Sequence, residues 1–146
     1  MLKTNPKQPH TILWADDDPD DRLLISGIVS SYNSQYQVKE AEDGCEVLRY
    51  LQAIQDPAHL PCLVVLDINM PKLTGLETLA CIRENAAWKN LTVAVFTTSS
   101  NKHDRQTCTA FGVPMFTKPA TFEGFQQAVE TLLKLCDIEP VSPSSN

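Results

Sequence analysis

Cys62-Leu63-Val64-Val65-Leu66-Asp67 is the stretch that decides the fold. Its apolar part is the longest such run in the chain, yet it is far short of the roughly 18–20 residues of a membrane span. Consecutive apolar residues with β-branched Val64 and Val65 at the centre predict a strand covered on both faces, as in a parallel sheet. This strand ends on a carboxylate. So does the run Thr11–Ala15, which is followed by Asp16-Asp17-Asp18.

On both sides of Leu63–Asp67 the chain alternates between strand and helix. Pro19 suits the first turn of a helix with Asp18 as its N-cap. Leu23, Leu24, Ile28 and Val29 recur at helical spacing, which predicts a helix over Pro19–Tyr32. Tyr36–Ala41 alternates as a strand. Gly44 punctuates it, Val47, Leu48, Leu51 and Ile54 mark a second helix, and Pro57 closes that region. Pro71 and Gly75 bound a loop, after which Leu76, Leu79, Ala80 and Ile82 carry a third helix. Thr92–Thr97 reads as a buried strand. Asn101–Phe111 reads as a polar helix ended by Gly112, and Val113–Thr117 as a fifth strand. Thr121 caps a last helix, Phe122–Cys136, with Phe125, Val129, Leu132 and Leu133 as its buried stripe.

Five alternations imply an α/β fold, a parallel sheet with helices on both faces. The 146 residues suit one domain, and 42% hydrophobic residues argue against disorder. A formal charge of −6 argues against a general nucleic-acid grip, which needs clustered Lys and Arg. The polar start has no apolar segment of a secretory signal. The expected organisation is a flexible segment over residues 1–10, one domain over 11–136, and a flexible tail over 137–146. Cys45, Cys62, Cys81, Cys108 and Cys136 form no CxxC pair, so reduced thiols in a cytoplasmic protein are expected rather than a disulfide framework. His10, His59 and His103 are too scattered to suggest zinc.

In parallel sheets, ligands bind beyond the carboxyl ends of the strands, at the switch in strand order. The first strand ends in Asp16-Asp17-Asp18, the third in Asp67, the fourth in Thr97-Thr98-Ser99 and the fifth in Thr117-Lys118-Pro119. With strand order 2-1-3-4-5, Asp16, Asp17 and Asp67 crowd together, and Thr97 and Lys118 close the other flank. Crowded carboxylates repel, and a divalent cation such as Mg²⁺ relieves them. A carboxylate beside a bound metal can attack phosphorus to give an aspartyl phosphate. Lysine and hydroxyl can then share the oxygens of the transferring group.

The pieces Ile12-Leu13-Trp14-Ala15-Asp16-Asp17, Glu40-Ala41-Glu42-Asp43-Gly44, Leu66-Asp67-Ile68-Asn69-Met70-Pro71, Thr74-Gly75, Phe96-Thr97-Thr98 and Thr117-Lys118-Pro119 stand in order, each at a strand end. In these, from about Thr11 to Cys136, the chain resembles the receiver domain of two-component response regulators. The resemblance implies a flavodoxin-like (βα)5 fold, a doubly wound five-stranded parallel sheet of order 2-1-3-4-5. It implies that Asp67 is the phosphoacceptor. It also implies that Asp16, Asp17, Asp67 and the backbone carbonyl of Asn69 hold Mg²⁺. Thr97 matches the switch hydroxyl, with Thr98 beside it, and Lys118 matches the lysine that contacts phosphate. The Lys118–Pro119 bond matches one usually cis in this family. Asp18 reads as a helix cap, and Asp20 and Asp21 as solvated charges near a helix N-terminus.

The chain departs from the family pattern at Met115, a candidate switch position where receivers often carry Tyr or Phe. Phe116 is adjacent but should face the other side of its strand. Trp14 reads as core packing. The loop Asp56–Pro61, which carries His59, is longer than many receivers have before the third strand. It resembles that of a subgroup of small stand-alone receivers, including those paired with phytochrome-type kinases. About ten residues follow the last helix, so no DNA-binding module is expected there. The resemblance implies a sensor histidine kinase or histidine phosphotransfer protein as phosphodonor. It also implies a downstream protein partner on the face of the fourth helix, fifth strand and fifth helix. A homodimer, or a relay rather than an endpoint, stays open. The alternatives are a receiver-like interaction module that is not phosphorylated and a Mg²⁺-dependent phosphohydrolase. The latter usually has a second Asp two residues after its nucleophile, where this chain has Asn69.

Overall fold

The computed structural model describes residues 10–99 and 101–137. The elements run β1 (His10–Ala15), α1 (Pro19–Tyr32), β2 (Tyr36–Ala41), α2 (Gly44–Ala53), β3 (Leu63–Leu66), α3 (Gly75–Glu84), β4 (Val93–Thr97), α4 (Lys102–Ala110), β5 (Met115–Thr117) and α5 (Phe122–Asp137). A single 3-10 turn, Pro57–His59, shapes the long loop before β3. The strands form one sheet in the order β2-β1-β3-β4-β5, with every pair parallel. The segments expected to be flexible, 1–10 and 137–146, lie almost wholly outside the described residues.

Burial explains the near-continuous apolar strands. β3 is buried at every position, and so is β4. Alternate residues feed two cores. Leu13, Ala15, Val64, Leu66, Val93 and Val95 face one side with Val47 and Leu51 of α2, Leu79 and Ile82 of α3 and Cys108 of α4. Ile12, Trp14, Leu63, Val65, Ala94 and Phe96 face the other with residues of α1 and α5. Trp14 is a core residue, edge-on to Phe96 with ring centroids 6.0 Å apart. Met115 packs on the first core and Phe116 on the second, as alternation along β5 requires. β5 begins only at Met115, later than the expected Val113, because Pro114 has no N–H for the ladder.

Local chemistry fixes the helix starts that frame the site. The Asp18 carboxylate accepts from the N–H groups of Asp20 and Asp21 and so caps α1. Thr74 and Glu77 form a reciprocal capping box at α3, worth about 1 kcal/mol. Between β3 and α3 the chain doubles back sharply. Lys72 takes a left-handed φ of 68°, and the Gly75 N–H donates to the Ile68 carbonyl at 2.9 Å. A Cβ at Gly75 would collide with the backbone carbonyl of Asp67. Glycine is therefore required there by close approach.

The cysteine expectation is corrected for two residues. Cys62, just before β3, and Cys136, in the last turn of α5, are joined as a disulfide with their Cα atoms 5.3 Å apart. Their separation of 74 residues is why no local cysteine spacing announced the pair. α5 returns along the sheet and brings its end beside the start of β3. Cys45, Cys81 and Cys108 are free thiols.

Two glycine substitutions should move stability in opposite directions. Gly75→Ala is expected to destabilise by about 1–3 kcal/mol, because the loop carrying Asp67 must shift. Gly27→Ala, on the exposed side of α1 with nothing near its missing Cβ, is expected to stabilise by about 0.5–1 kcal/mol. Urea unfolding of both variants checks the pair.

Candidate functional site

Strand register builds the site. Ala15 pairs with Leu66 across β1 and β3, so the next residues, Asp16 and Asp67, leave the sheet side by side. Thr97 pairs with Thr117 across β4 and β5, so Lys118 follows at the same level. Its N–H donates to the Thr97 carbonyl at 2.8 Å. All of these residues sit at the carboxyl edge, with Asp16 and Asp67 at the point where strand order reverses between β1 and β3.

The centre of the site is the ammonium of Lys118. It donates to Asp16 Oδ2 at 2.6 Å, Asp21 Oδ2 at 2.9 Å and Asp67 Oδ2 at 3.0 Å. An ammonium has three donors, and all are used. Asp16 and Asp67 are buried, and Asp17 beside them is exposed. One carboxylate oxygen from each of Asp16, Asp17 and Asp67 lies within 4.8 Å of the others, the spacing of a metal-ligand set. Asn69 is exposed just past Asp67, and the Thr97 side chain is fully buried. Thr97 Oγ1 accepts from the Ser99 N–H at 3.2 Å. Thr98 is exposed and lines an open cleft with Asp21, Lys118 and Pro119. Met115 lies beneath, partly buried.

Among the described residues, Asp67 Oδ1 is the one buried side-chain oxygen or nitrogen with no hydrogen-bond partner. An unpaired buried acceptor is costly, and a cation or an incoming electrophile would satisfy it. The all-carboxylate donor set suits a hard divalent ion, which prefers oxygen ligands. The residues present therefore fit the metal that the sequence called for.

The electrostatics follow from burial. Burial pushes the Asp16 carboxyl up from 3.8 to about 6. The hydrogen bonds from Lys118 and from the Asp18 N–H, with the charge of Lys118, pull it back only in part, and the charge of Asp67 adds to the rise. Burial acts to lower Lys118. Its hydrogen bonds to Asp16 and Asp21 and the charges of Asp67 and Asp16 outweigh that and hold it above the ordinary lysine range.

Two site residues were not read from the sequence. Asp21, expected to be solvated, is instead a direct partner of Lys118. The signal was its position one helical turn into α1, pointing back over the strand ends. Arg22 donates to the Asp16 carbonyl at 2.8 Å and pairs with Glu40 at 3.0 Å, pinning the β1–α1 loop. The expectation of a cis bond before Pro119 is corrected: no described peptide bond is cis, so Lys118–Pro119 is trans. The tertiary amide still favours trans by about 0.5–1 kcal/mol, and the Lys118 ammonium reaches its three carboxylates in that isomer.

The family described as "Response regulator receiver domain" matches residues 12–130. The chain belongs to the response regulator receiver family. A curated relative, the response regulator Rcp1 of Synechocystis sp., is 32% identical over 104 residues, covering 70% of this chain and 69% of that protein. Among solved structures, the phosphorylated cyanobacterial phytochrome response regulator RcpA superposes with a TM-score of 0.80 at 28% identity. That match covers 92% of this chain and 98% of the other. The Mn²⁺-bound form of Rcp1 gives a TM-score of 0.78 at 27% identity, covering 92% and 98%. The chain is thus a receiver of two-component signalling with a CheY-like, flavodoxin-like fold. Among the described residues no helix is long and apolar enough to cross a membrane.

The receiver's acidic site should reveal itself in stability. The folded chain binds the Asp16 proton more tightly than the unfolded chain does. Raising the pH from 3.8 through about 6 therefore removes stability from the metal-free protein. In chelator, Asp16→Asn is expected to raise stability at pH 7 by on the order of 2 kcal/mol. The gain should vanish toward pH 3.5. Thermal melts across that range check both the sign and the window.

Proposed function

We propose that this receiver takes a phosphoryl group on Asp67 from the phosphohistidine of a sensor histidine kinase or histidine phosphotransfer protein. It acts as a cytoplasmic, stand-alone regulator that signals through protein contacts rather than as an enzyme. The observation that carries the reading is the Asp67 carboxylate, with one oxygen on Lys118 and the other buried without a partner. A carboxylate oxygen attacks phosphorus in line with the leaving imidazole. The P–N bond breaks with its electron pair on nitrogen, and the imidazole takes up a proton.

Asp16, Asp17, Asp67 and the backbone carbonyl of Asn69 would hold Mg²⁺, which when bound offsets the charge of the carboxylates and of the phosphoryl oxygens. Lys118 gives up part of its carboxylate shell to pair with a phosphoryl oxygen, and the Thr97 hydroxyl donates to another. Thr98 sits at the mouth of the cleft. As Thr97 turns inward it releases the Ser99 N–H, and Ser99 in turn holds Asp104 of α4 at 3.0 Å. α4 has a single buried residue, Cys108. Such a lightly anchored helix can repack at small cost. Met115, partly buried on the α4 side of β5, is the candidate second switch, repacking where an aromatic would swing. The face of α4, β5 and α5 is then the surface that a downstream partner reads. Leu23 and Phe122 are the strongly exposed large apolar side chains among the described residues. Both line a groove between α1 and α5, and Phe122 also lines the cleft, so together they offer ground for the donor protein.

A small acyl phosphate tests the chemistry without the cognate kinase. With Mg²⁺ the wild-type chain is expected to gain one phosphate by intact mass, while chelator or Asp67→Asn abolishes the adduct. Lys118→Ala should still bind Mg²⁺ and label poorly. Absence of any adduct on wild type with Mg²⁺ bound would leave the unphosphorylated interaction module as the reading.

A further inference from the structure

At the pole of the sheet opposite the acidic site, Cys62 precedes β3 and Cys136 sits in the last turn of α5. Both residues are half-buried. The imidazole of exposed His10 has a nitrogen within 4.8 Å of both sulfurs, and its ring packs edge-on against Tyr36. Three further cysteines remain free thiols. A chain that keeps most cysteines reduced while pairing two by long-range contact suits a thiol-rich compartment. In such a compartment protein disulfides are usually transient or redox-sensing.

We propose that Cys62 and Cys136 form a reversible thiol–disulfide site whose oxidant is a low-molecular-weight disulfide. One thiolate, its proton taken by the His10 imidazole, attacks a sulfur of the oxidant. A mixed disulfide forms and one small thiol leaves. The second cysteine then attacks the mixed disulfide, forms the Cys62–Cys136 bond and expels the second small thiol. Two electrons pass from the pair to the oxidant, and the two cysteine protons end on the two released thiols. A protonated imidazole beside the sulfurs favours the thiolate that begins the exchange. The bond ties the far ends of the two elements whose near ends carry Asp67 and follow Lys118, so oxidation locks α5 along the sheet. The site needs no phosphorylation, and an Asp67→Asn chain should exchange identically, which separates its fate from that of the phosphoacceptor.

The test starts from the full chain reduced with dithiothreitol and desalted in chelator, then treated with oxidised glutathione at pH 7. The expected product is lighter by two hydrogens, with peptide mapping placing the link between Cys62 and Cys136. Dithiothreitol should restore both thiols without unfolding. The oxidised form should melt roughly 5–10 °C higher, as closing a long loop predicts. Cys62→Ser and Cys136→Ser should each stop at a glutathione adduct on the remaining partner, with no rise in melting temperature. His10→Gln should fold normally and form the link several-fold more slowly. The proposal fails if Cys62 and Cys136 of the wild type end as glutathione adducts or as two free, alkylatable thiols. It fails equally if the link resists dithiothreitol in the folded chain. Reduced protein that retains one zinc through Cys62, Cys136 and His10, and is thereby protected from oxidation, would instead make the trio a metal site.

Discussion

One ammonium among four carboxylates is the constraint around which this receiver is arranged. Asp16, Asp17, Asp21 and Asp67 carry four negative charges against the one of Lys118, which leaves a local excess of three. Buried charge is tolerated only when paired and hydrogen-bonded, and Lys118 meets that demand by using every donor it has. The shortfall surfaces at Asp16, whose carboxyl holds its proton to about pH 6, and at the unpartnered oxygen of Asp67. Both features describe a site short of positive charge, the condition in which a divalent cation finds ready ligands.

The surrounding fold holds that unfavourable cluster in place. Parallel register puts Asp16 and Asp67 side by side and sets Lys118 level with Thr97. Gly75 lets the start of α3 press against the Asp67 carbonyl, and the capping box at Thr74 anchors the same turn. Arg22 bonds the Asp16 carbonyl from below. The two apolar cores, sealed by strands buried on both faces, supply the stability that the site spends. Functional sites commonly carry such local cost. The cysteine pair lies at the opposite pole of the sheet.

The sequence made the fold legible because its information was local. Apolar runs of strand length, each ended by a carboxylate, hydroxyl or lysine, announced parallel strands with a site at their carboxyl ends. Prolines, glycines and N-caps marked the breaks. Strand and helix bounds came within a residue or two, with Pro114 accounting for the late start of β5. The core place of Trp14 followed from its position in a central strand, and the opposed faces of Met115 and Phe116 from alternation.

What stayed hidden depended on distance and orientation. Asp21 looked like one more solvated charge near a helix N-terminus. Only the docking of α1 over the strand ends aims it at Lys118, 97 residues away. Arg22 reaches the Asp16 backbone by the same docking. The disulfide needed α5 to return beside β3, and the trans bond before Pro119 is a choice between isomers close in energy. By itself, then, the sequence determined the fold class and the chemical inventory of the site, because periodicity and strand-end residues are written along the chain. Only the tertiary structure decided which charges share Lys118, which oxygen of Asp67 is left without a partner and which sulfurs meet, because those are contacts between segments far apart in sequence.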